Sequence, residues 1–392
     1  MNSLSAANTH FTFDLFQQFK TSKKDDNIFC SPLSISSALA MTYLGAKENT
    51  AFEMEMVGAL HFNEVTENTE GRTTRDHVEK LGNVHHQFQK LLTELKKPTD
   101  ANELNIANKL YGEKNYQFLQ EYMDNVKKFY LTSVESVDFK NAPEESRKKI
   151  NSWVESQTHE KIKDLLPKNS LEFTTVLVLV NAIYFKGQWD NKFDKRNTVE
   201  KEFWLNKDTS KPVQMMKQVN VFKFTSLEDI KAKILEIPYK GKDLSMVLLL
   251  PDDVDGLQKL EDQLTAEKLR EWTSSQNMHD NYVDLYLPRF KVEETYDLKD
   301  TLRALGMVDV FNPQRANLSG MTGTKDLLVS KVIHKSFVEV TEEGTEAASS
   351  TAVVVNVGSP PTHPFHCDHP FLFFIRHNKT NSILFLGRVS SP

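Results

Sequence analysis

The sequence predicts a single α+β domain, and three observations support this. Apolar residues at helical spacing dominate the first half of the chain, and continuous apolar runs dominate the second. No fixed-period repeat and no Pro/Gly/Ser-rich linker separates the two halves. The length of 392 residues would by itself suggest two or three domains, at about 150 residues each. The unbroken pattern favours one domain over residues 1–392 instead.

Helices are predicted in order along the first half. Phe11, Phe16 and Phe19 share one side of a first helix. Ser31 followed by Pro32 is typical of a helix start, and the second helix continues to Gly45. The polar segment 62–83 has no apolar face and predicts a flexible loop. Helical pattern returns over residues 84–97, 115–129 and 143–166.

Strands are predicted mostly in the second half. Residues 176–180, 246–250 and 371–375 are continuous apolar runs of the length of a strand. Such runs are typical of strands that are buried on both faces, because an exposed face would alternate with polar residues. The sheets are therefore expected to lie mostly in the second half of the chain.

Composition excludes several classes of partner. The 48 Lys and Arg against 54 Asp and Glu give a net charge of −6, so no basic field attracts nucleic acid. The most apolar stretch, 174–185, is too short for a bilayer span of about 20 residues. Two cysteines, Cys30 and Cys367, are too few for a disulfide scaffold. The first twenty residues contain no apolar signal-peptide core. We expect a cytoplasmic protein that is also released from cells without a leader. The glycosylation sequons at Asn317 and Asn378 are therefore expected to be unused.

One stretch departs from the rest of the chain. Residues 345–365 carry a single charge, where 26% of 21 residues would be about five. Read with the two-residue period of a strand, one face is free of charge and the other carries Glu346. The uncharged face is formed by Thr345, Ala347, Ser349, Thr351, Val353 and Val355, and the other by Glu346, Ala348, Ser350, Ala352, Val354 and Asn356. Prolines at 360 and 361 prevent further pairing and favour an exposed, protease-accessible backbone. The segment therefore predicts a strand held outside its sheet.

The residues around this stretch resemble a known family. FVEVTEEGTEAA at 337–348 resembles the hinge of an inhibitory serpin. Further blocks that resemble serpins are NIFCSPLSI (27–35), NAIYFKGQW (181–189), LSGM (318–321), HPFLFFIR (369–376) and FLGR (385–388). Within the family the chain resembles the intracellular, ovalbumin-like (clade B) branch, and there the squamous cell carcinoma antigens, in GNVHHQFQK (82–90) and NKTNSIL (378–384).

The resemblance implies a fold and a mechanism. It implies a serpin fold with three β-sheets, about nine helices and an exposed reactive-centre loop, the hinge and loop spanning 342–365. It also implies suicide-substrate inhibition, in which a protease cleaves the loop and the freed loop inserts into the main sheet as an extra strand. The hinge residues carried over are Glu342, Gly344, Thr345, Ala347, Ala348 and Ser349. The expected partners are target proteases, and we expect a monomer without cofactors.

The position of the scissile bond follows from the hinge. The hinge glycine of inhibitory serpins is the fifteenth residue before the bond, so Gly344 places the bond between Gly358 and Ser359. No Lys or Arg lies between 345 and 365, so trypsin-like proteases are not expected targets. Papain-like cysteine proteases select mainly through the preceding residue, Val357. Elastase-like serine proteases would cut between Val357 and Gly358 instead. Target specificity is therefore expected to depend on Val355, Asn356 and Val357. Cysteine cathepsins are the expected targets, and elastase-like or chymotrypsin-like serine proteases are the alternative.

A set of polar residues elsewhere also matches the family. The resemblance implies a sheet-opening role for a polar cluster under the main sheet, formed by Ser31, Ser34, Asn181 and His334, and it places Trp189 at the top of the sheet, where insertion begins. The alternative interpretation is that they are satisfied polar groups and an ordinary tryptophan of the core. Arg289 and Glu342 are expected to form an exposed ion pair.

Two other histidine groups predict no metal site. In His363–His369, strand alternation would point His366 and Asp368 away from Cys367 and His369. Adjacent His85 and His86 would point about 100° apart on a helix. No nucleophile, phosphate-loop or zinc-protease motif is present, so we expect no enzymatic activity.

The competing functional class is a non-inhibitory serpin that serves as a binding, chaperone or storage protein. Such proteins typically carry a charged or bulky residue at the buried hinge positions. Here Thr345, Ala347 and Ser349 are all small, which favours inhibition.

Overall fold

The computed structural model describes residues 3–51, 55–65, 76–343 and 361–392. Within these ranges there are eleven α-helices, of which α3 and α11 are single turns of four residues, leaving nine longer ones. The helices are α1 (Ser3–Ser22), α2 (Pro32–Gly45), α3 (Glu48–Ala51), α4 (Glu55–Ala59), α5 (Asp76–Leu95), α6 (Gln120–Tyr130), α7 (Pro143–Gln157), α8 (Leu257–Gln263), α9 (Ala266–Trp272), α10 (Lys299–Ala304) and α11 (Ser319–Thr322), with 3-10 helices at Phe62–Glu64, Lys195–Asn197 and Asp309–Phe311.

The first two helices confirm the sequence prediction. Phe11, Phe16 and Phe19 on α1 are buried. Ser31 caps α2, because its hydroxyl accepts a hydrogen bond from the backbone N–H of Ser34 at 3.3 Å, and Pro32 occupies the first turn. The structure therefore has the predicted start for α2 and the predicted end at Gly45.

The predicted loop over 62–83 is wrong in part, because α5 begins at Asp76 rather than at residue 84. Apolar residues at positions 78 and 81 continue the helical spacing of Val84 and Phe88. Charged residues between these apolar positions make the helical periodicity difficult to recognise in the sequence.

Two other helices are shorter than predicted. The helix expected from residue 115 begins at Gln120, because Glu113 accepts bonds from the backbone N–H and side-chain amide of Asn115 at 3.1 and 2.7 Å and forms a turn there. The helix expected to reach 166 ends at Gln157. The side-chain hydroxyl of Thr158 then accepts a hydrogen bond from the backbone N–H of Ile162 at 3.1 Å. This N–H group is therefore satisfied without a further turn of helix.

Fourteen strands are present in the described residues, and the three predicted runs lie in β4, β8 and β13. The strands are β1 (Ile28–Cys30), β2 (Asn102–Glu113), β3 (Val134–Val137), β4 (Leu177–Gly187), β5 (Val199–Trp204), β6 (Ser210–Leu227), β7 (Ala232–Pro238), β8 (Leu244–Pro251), β9 (His279–Pro288), β10 (Phe290–Asp297), β11 (Lys331–Val340), β12 (His363–His366), β13 (Phe371–His377) and β14 (Ser382–Val389).

The five-stranded sheet has the order β10-β11-β4-β2-β3. Its central pair, β11 and β4, is parallel, with Lys331 to Val338 opposite Val178 to Phe185. The flanking pairs β10–β11 and β2–β4 are antiparallel. One face of β4, including Leu179 and Phe185, joins the main core. The other face, including Val180 and Tyr184, packs in a second cluster with α7.

The remaining strands form one connected sheet with the order β1-β14-β13-β8-β7-β6-β9-β12, in which β5 also pairs with β6. Strand β6 has 18 residues and bridges two parts of this sheet. Its first residues pair with β5 and its last with β7 along the same side. The three expected sheets are therefore present as the five-stranded sheet and two parts that share β6. No described helix is both long and apolar enough to cross a membrane.

Candidate functional site

The parallel strands β11 and β4 lie side by side at the centre of the five-stranded sheet, and the chain leaves the sheet after the end of β11. Strand β11 ends at Val340, and Thr341 to Glu343 lead directly into the charge-poor segment. A strand that folded back from Glu343 between β11 and β4 would run antiparallel to both. Such an insertion would replace one parallel pair by two antiparallel pairs, which are slightly more stable per residue. The geometry thus offers a specific position for a further strand.

The lengths of the segment and the sheet agree. Strands β11 and β4 have 10 and 11 residues. The segment 345–357 has 13 residues, and at about 3.3 Å per residue it would span the whole pair.

A buried polar cluster lies beneath the middle of this pair. The imidazole of His334 on β11 donates from Nδ1 to Oδ1 of Asn181, the residue opposite it on β4. The Nε2 of His334 accepts from the backbone N–H of Ser31 at 3.1 Å. Asn181 also donates from Nδ2 to the Ser34 hydroxyl at 2.5 Å. The structure therefore brings together all four residues that were predicted for the polar cluster, and the hydrogen bonds join both central strands to the start of α2.

Burial sets the charge of this cluster. His334 is fully buried, and desolvation lowers its pKa to about 3. The imidazole is therefore neutral at pH 7, which is required for Nε2 to accept the Ser31 hydrogen bond.

The cluster contains two residues that the sequence analysis missed. Asn108 on β2 accepts from Asn181 Nδ2 and donates to the hydroxyl of Ser37 at 3.1 Å. Asn108 lies opposite Asn181 in the antiparallel register of β2 and β4. Only the strand pairing reveals this, because the two asparagines are separated by 73 positions.

Trp189 is not part of this cluster. It lies just beyond the end of β4 and donates from Nε1 to the carbonyl oxygen of Thr341 at 2.8 Å. Its backbone N–H donates to the carbonyl of Glu343 at 3.2 Å. The indole is buried and stacks on Tyr239, with ring centroids 4.5 Å apart. Trp189 thus holds the residues where the chain leaves the sheet, at the end where insertion would begin.

Glu342 lies in the same place and forms the expected pair with Arg289. Arg289 Nε and Glu342 Oε1 are 3.3 Å apart. The expectation of an exposed pair is wrong for one partner, because the Glu342 side chain is 2% exposed whereas that of Arg289 is 48% exposed. The hydroxyl of Thr198 also donates to Glu342 Oε1 at 3.3 Å. Packing at the sheet end buries this carboxylate.

The other predicted loop residues lie outside the described part of the chain. These are the hinge residues Gly344, Thr345, Ala347, Ala348 and Ser349, the specificity residues Val355, Asn356 and Val357, and the bond residues Gly358 and Ser359.

The histidines that follow the loop bond to separate partners. His366 pairs with Asp284 at 3.0 Å and stacks on Tyr286. His369 faces Asp368 through Nδ1 and donates from Nε2 to the carbonyl of Pro251 at 2.6 Å. On α5, His85 is buried and bonds to Tyr130.

Comparisons with known proteins agree with this geometry. The family model described as "Serpin (serine protease inhibitor)" matches residues 6–392. The chain is 68% identical to human Serpin B3 and 48% identical to human leukocyte elastase inhibitor, each over 100% of both chains. Among solved structures, uncleaved ovalbumin superposes with a TM-score of 0.89 at 39% identity and covers 99% of this chain and 100% of its own.

Proposed function

Because this chain belongs to the serpin family, in its clade B, ovalbumin-like branch, we propose that it inhibits papain-like cysteine proteases of the cathepsin type. A cathepsin cleaves the loop and forms its acyl-enzyme, and the freed segment 345–357 then inserts between β11 and β4. The chain is an inhibitor and not an enzyme. The inhibited protease is carried along with the inserted strand before the acyl-enzyme hydrolyses.

One observation carries the proposal: the chain leaves β11 at Glu343, beside the parallel β11–β4 pair that an inserted strand would separate. The hydrogen bonds from Trp189 to Thr341 and Glu343 hold this starting point in place. The small, uncharged face of the segment enters the sheet without burying a charge.

Insertion has a substantial driving force. Burial of Val353 and Val355 contributes roughly 1.5–3 kcal/mol each. New ladder hydrogen bonds contribute about 1 kcal/mol apiece. The total is on the order of 10 kcal/mol, which is enough to make insertion effectively irreversible.

The target class follows from the loop sequence. The loop offers no Lys or Arg to the acidic pocket of a trypsin-like protease. With the bond between Gly358 and Ser359, Val357 occupies the pocket that dominates selection by papain-like proteases. A β-branched apolar side chain suits that pocket, so cysteine cathepsins are the proposed targets.

A second candidate is an elastase-like or chymotrypsin-like serine protease. Cleavage between Val357 and Gly358 would place valine in a shallow primary pocket. The name of the leukocyte elastase inhibitor, to which the chain is similar, favours this alternative.

The two candidates are distinguished by the peptide released on cleavage. The protein is incubated side by side with a cysteine cathepsin and an elastase, and residual protease activity is measured against the molar ratio. The C-terminal peptide is then sequenced. A start at Ser359 supports the cysteine protease proposal, and a start at Gly358 supports the alternative. A thioester intermediate is labile, so loss of activity and not a covalent band is the readout for the cathepsin.

The same experiment tests the non-inhibitory class. Simple cleavage by both proteases, with full protease activity remaining, would identify a serpin that acts as a binding protein. The small residues Thr345, Ala347 and Ser349 favour inhibition instead.

We also propose that the protein is a cytoplasmic monomer. Both cysteines, Cys30 and Cys367, are free and fully buried, which suits a reducing compartment.

A further inference from the structure

Two histidines and three carboxylates meet outside the site described above, where α1, α9 and the 3-10 helix Phe62–Glu64 pack together. His10 and Asp14 lie one turn apart on α1. His61 immediately precedes the 3-10 helix, and Glu64 is its last residue. Glu267 lies in the first turn of α9.

Glu64 is shared between the two imidazoles. His10 Nδ1 lies 2.7 Å from Glu64 Oε2, and His61 Nδ1 lies 3.1 Å from Glu64 Oε1. The outer nitrogens face separate carboxylates: His10 Nε2 is 2.9 Å from Glu267, and His61 Nε2 is 2.6 Å from Asp14. Every imidazole nitrogen of the pair therefore faces a carboxylate oxygen.

This arrangement requires positive charge between the groups. A carboxylate only accepts hydrogen bonds, and a neutral imidazole carries hydrogen on one nitrogen alone. One nitrogen of each neutral ring would thus direct its lone pair at a carboxylate, so the rings are either protonated or share a bound cation with the carboxylates.

We propose that this cluster, formed by His10, His61 and Glu64, is a Zn²⁺ site. The inner Nδ1 atoms of the two histidines and one oxygen of Glu64 are the ligands, and a water completes four-coordination. The outer Nε2–H groups donate to Glu267 and Asp14, which is the arrangement that orients metal-bound histidines. Imidazole ligands favour Zn²⁺ over Ca²⁺ or Mg²⁺, which prefer oxygen.

The distances suit this metal. One ligand atom from each of the three residues lies within 4.8 Å of the others. Tetrahedral zinc with bonds of about 2.1 Å separates its ligand atoms by roughly 3.4 Å, so side-chain rotations must widen the contacts of 2.7 and 3.1 Å to Glu64 and shorten any longer separation in the set. The three ligand side chains, His10, His61 and Glu64, are 28%, 24% and 35% exposed, which leaves a path from solvent.

The sequence does not reveal this site, because the two histidines are 51 positions apart and no short spacing motif links them. His61 also has a left-handed backbone with φ of 59°, which is uncommon for a residue other than glycine.

Isothermal titration with ZnCl₂ tests the proposal, using full-length protein that has been treated with a chelator and desalted. We expect one Zn²⁺ per chain and a rise in the melting temperature on binding. His10→Asn and His61→Asn should weaken binding by more than the roughly tenfold loss expected for Asp14→Asn. Co²⁺ should give the visible absorption of a four-coordinate ion in the parent protein and not in these variants.

His159→Asn is the matched control, because His159 is 71% exposed and faces a single carboxylate, Glu103, at 3.5 Å. It should bind Zn²⁺ as the parent does. Glu64→Gln keeps a hydrogen-bonding side chain but loses the charged ligand. It replaces a histidine variant in the Zn²⁺ titration if that variant fails to fold. No Zn²⁺ binding by the parent protein, or equal binding by His10→Asn, His61→Asn and Glu64→Gln, would overturn the proposal. Protease inhibition should be unchanged in His10→Asn, which separates this site from the proposed function.

Discussion

His334 and Asn181 are joined by a side-chain hydrogen bond directly across the parallel strands β11 and β4, at the position where a further strand would have to separate them. Both residues are buried, and the same asparagine holds Ser34 and Asn108. Insertion of a strand between β11 and β4 would break this bond, so we expect the bond to limit how readily the sheet opens.

Asn181→Ala should therefore loosen the sheet. The substitution leaves the His334 Nδ1–H without its partner, and we expect a loss of about 2–3 kcal/mol in the free energy of unfolding. A synthetic peptide of residues 345–357 should also enter the sheet faster than in the parent protein. Urea unfolding and native-gel detection of peptide uptake measure the two effects.

The control for this variant is Asn281→Ala on β9, whose amide donates to the carbonyl of His279 within its own strand. It should change stability by less than about 0.5 kcal/mol and leave peptide uptake unchanged. Equal peptide uptake by Asn181→Ala and the parent protein would show that the bond does not restrain the sheet.

Some of this site could be predicted from the sequence and some could not. Ser31 is recognisable because a cap residue before Pro32 is a local signal. The runs in β4, β8 and β13 are recognisable because burial on both faces removes polar residues. The parallel pairing of β11 with β4 joins residues more than 150 positions apart, and no local pattern specifies it.

The same reason explains which features the sequence did not reveal. Asn108 is an ordinary polar residue until β2 pairs with β4. Trp189 lies beyond the end of β4 and bonds to Thr341, at the end of the sheet where the resemblance implies that insertion begins. The burial of Glu342 depends on tertiary packing and cannot be read from a charged residue in a polar segment.

Stability should fall in mild acid because of His334. Its folded pKa is lowered to about 3, whereas an unfolded histidine titrates near pH 6.5. Between these values the unfolded chain binds the proton and the folded chain does not, so stability is complete above about pH 7 and is lost as the pH falls. At pH 5 the loss from this residue is about 2 kcal/mol.

Urea unfolding at pH 7.5, 6 and 5 measures this dependence. His85 contributes in the same direction, since burial lowers its pKa to about 3 as well. His334→Gln removes the contribution of His334 to the loss of stability in acid, because glutamine does not titrate. Its stability should decline less steeply than that of the parent protein, and an identical decline would contradict the assignment.

Removal of the partner of Glu342 should destabilise the sheet end. Arg289→Met keeps an apolar stem but leaves the buried carboxylate of Glu342 without its cation. We expect a loss of about 1–3 kcal/mol in the free energy of unfolding, since a buried charge loses its compensation. Arg303→Met is the matched control, because Arg303 pairs with Asp300 at 42% and 94% exposure, and exposed pairs contribute about 0–1 kcal/mol. Equal losses of unfolding free energy in the two variants would show that burial of Glu342 does not strengthen its ion pair with Arg289.

A charge on the inward face of the hinge should convert the inhibitor into a substrate. Thr345 is the first residue of the uncharged face of segment 345–357, and an arginine there would have to enter the sheet between β11 and β4. Burial of an unpaired charge costs several kcal/mol. Because each 1.36 kcal/mol slows a step about tenfold, insertion in Thr345→Arg should lose the competition with hydrolysis of the acyl-enzyme. Titration of the target protease should then leave its activity intact while the loop is cleaved.

The matched control is Ala348→Arg, which places the same charge on the opposite face of the segment. If the two-residue alternation is correct, this arginine remains in solvent after insertion and inhibition is largely retained. The contrast between the two variants separates the effect of the face from the effect of charge alone, since both add one arginine within four positions of the hinge glycine Gly344. Full inhibition by Thr345→Arg, or equal loss in both variants, would contradict the face assignment and with it the proposed path of insertion.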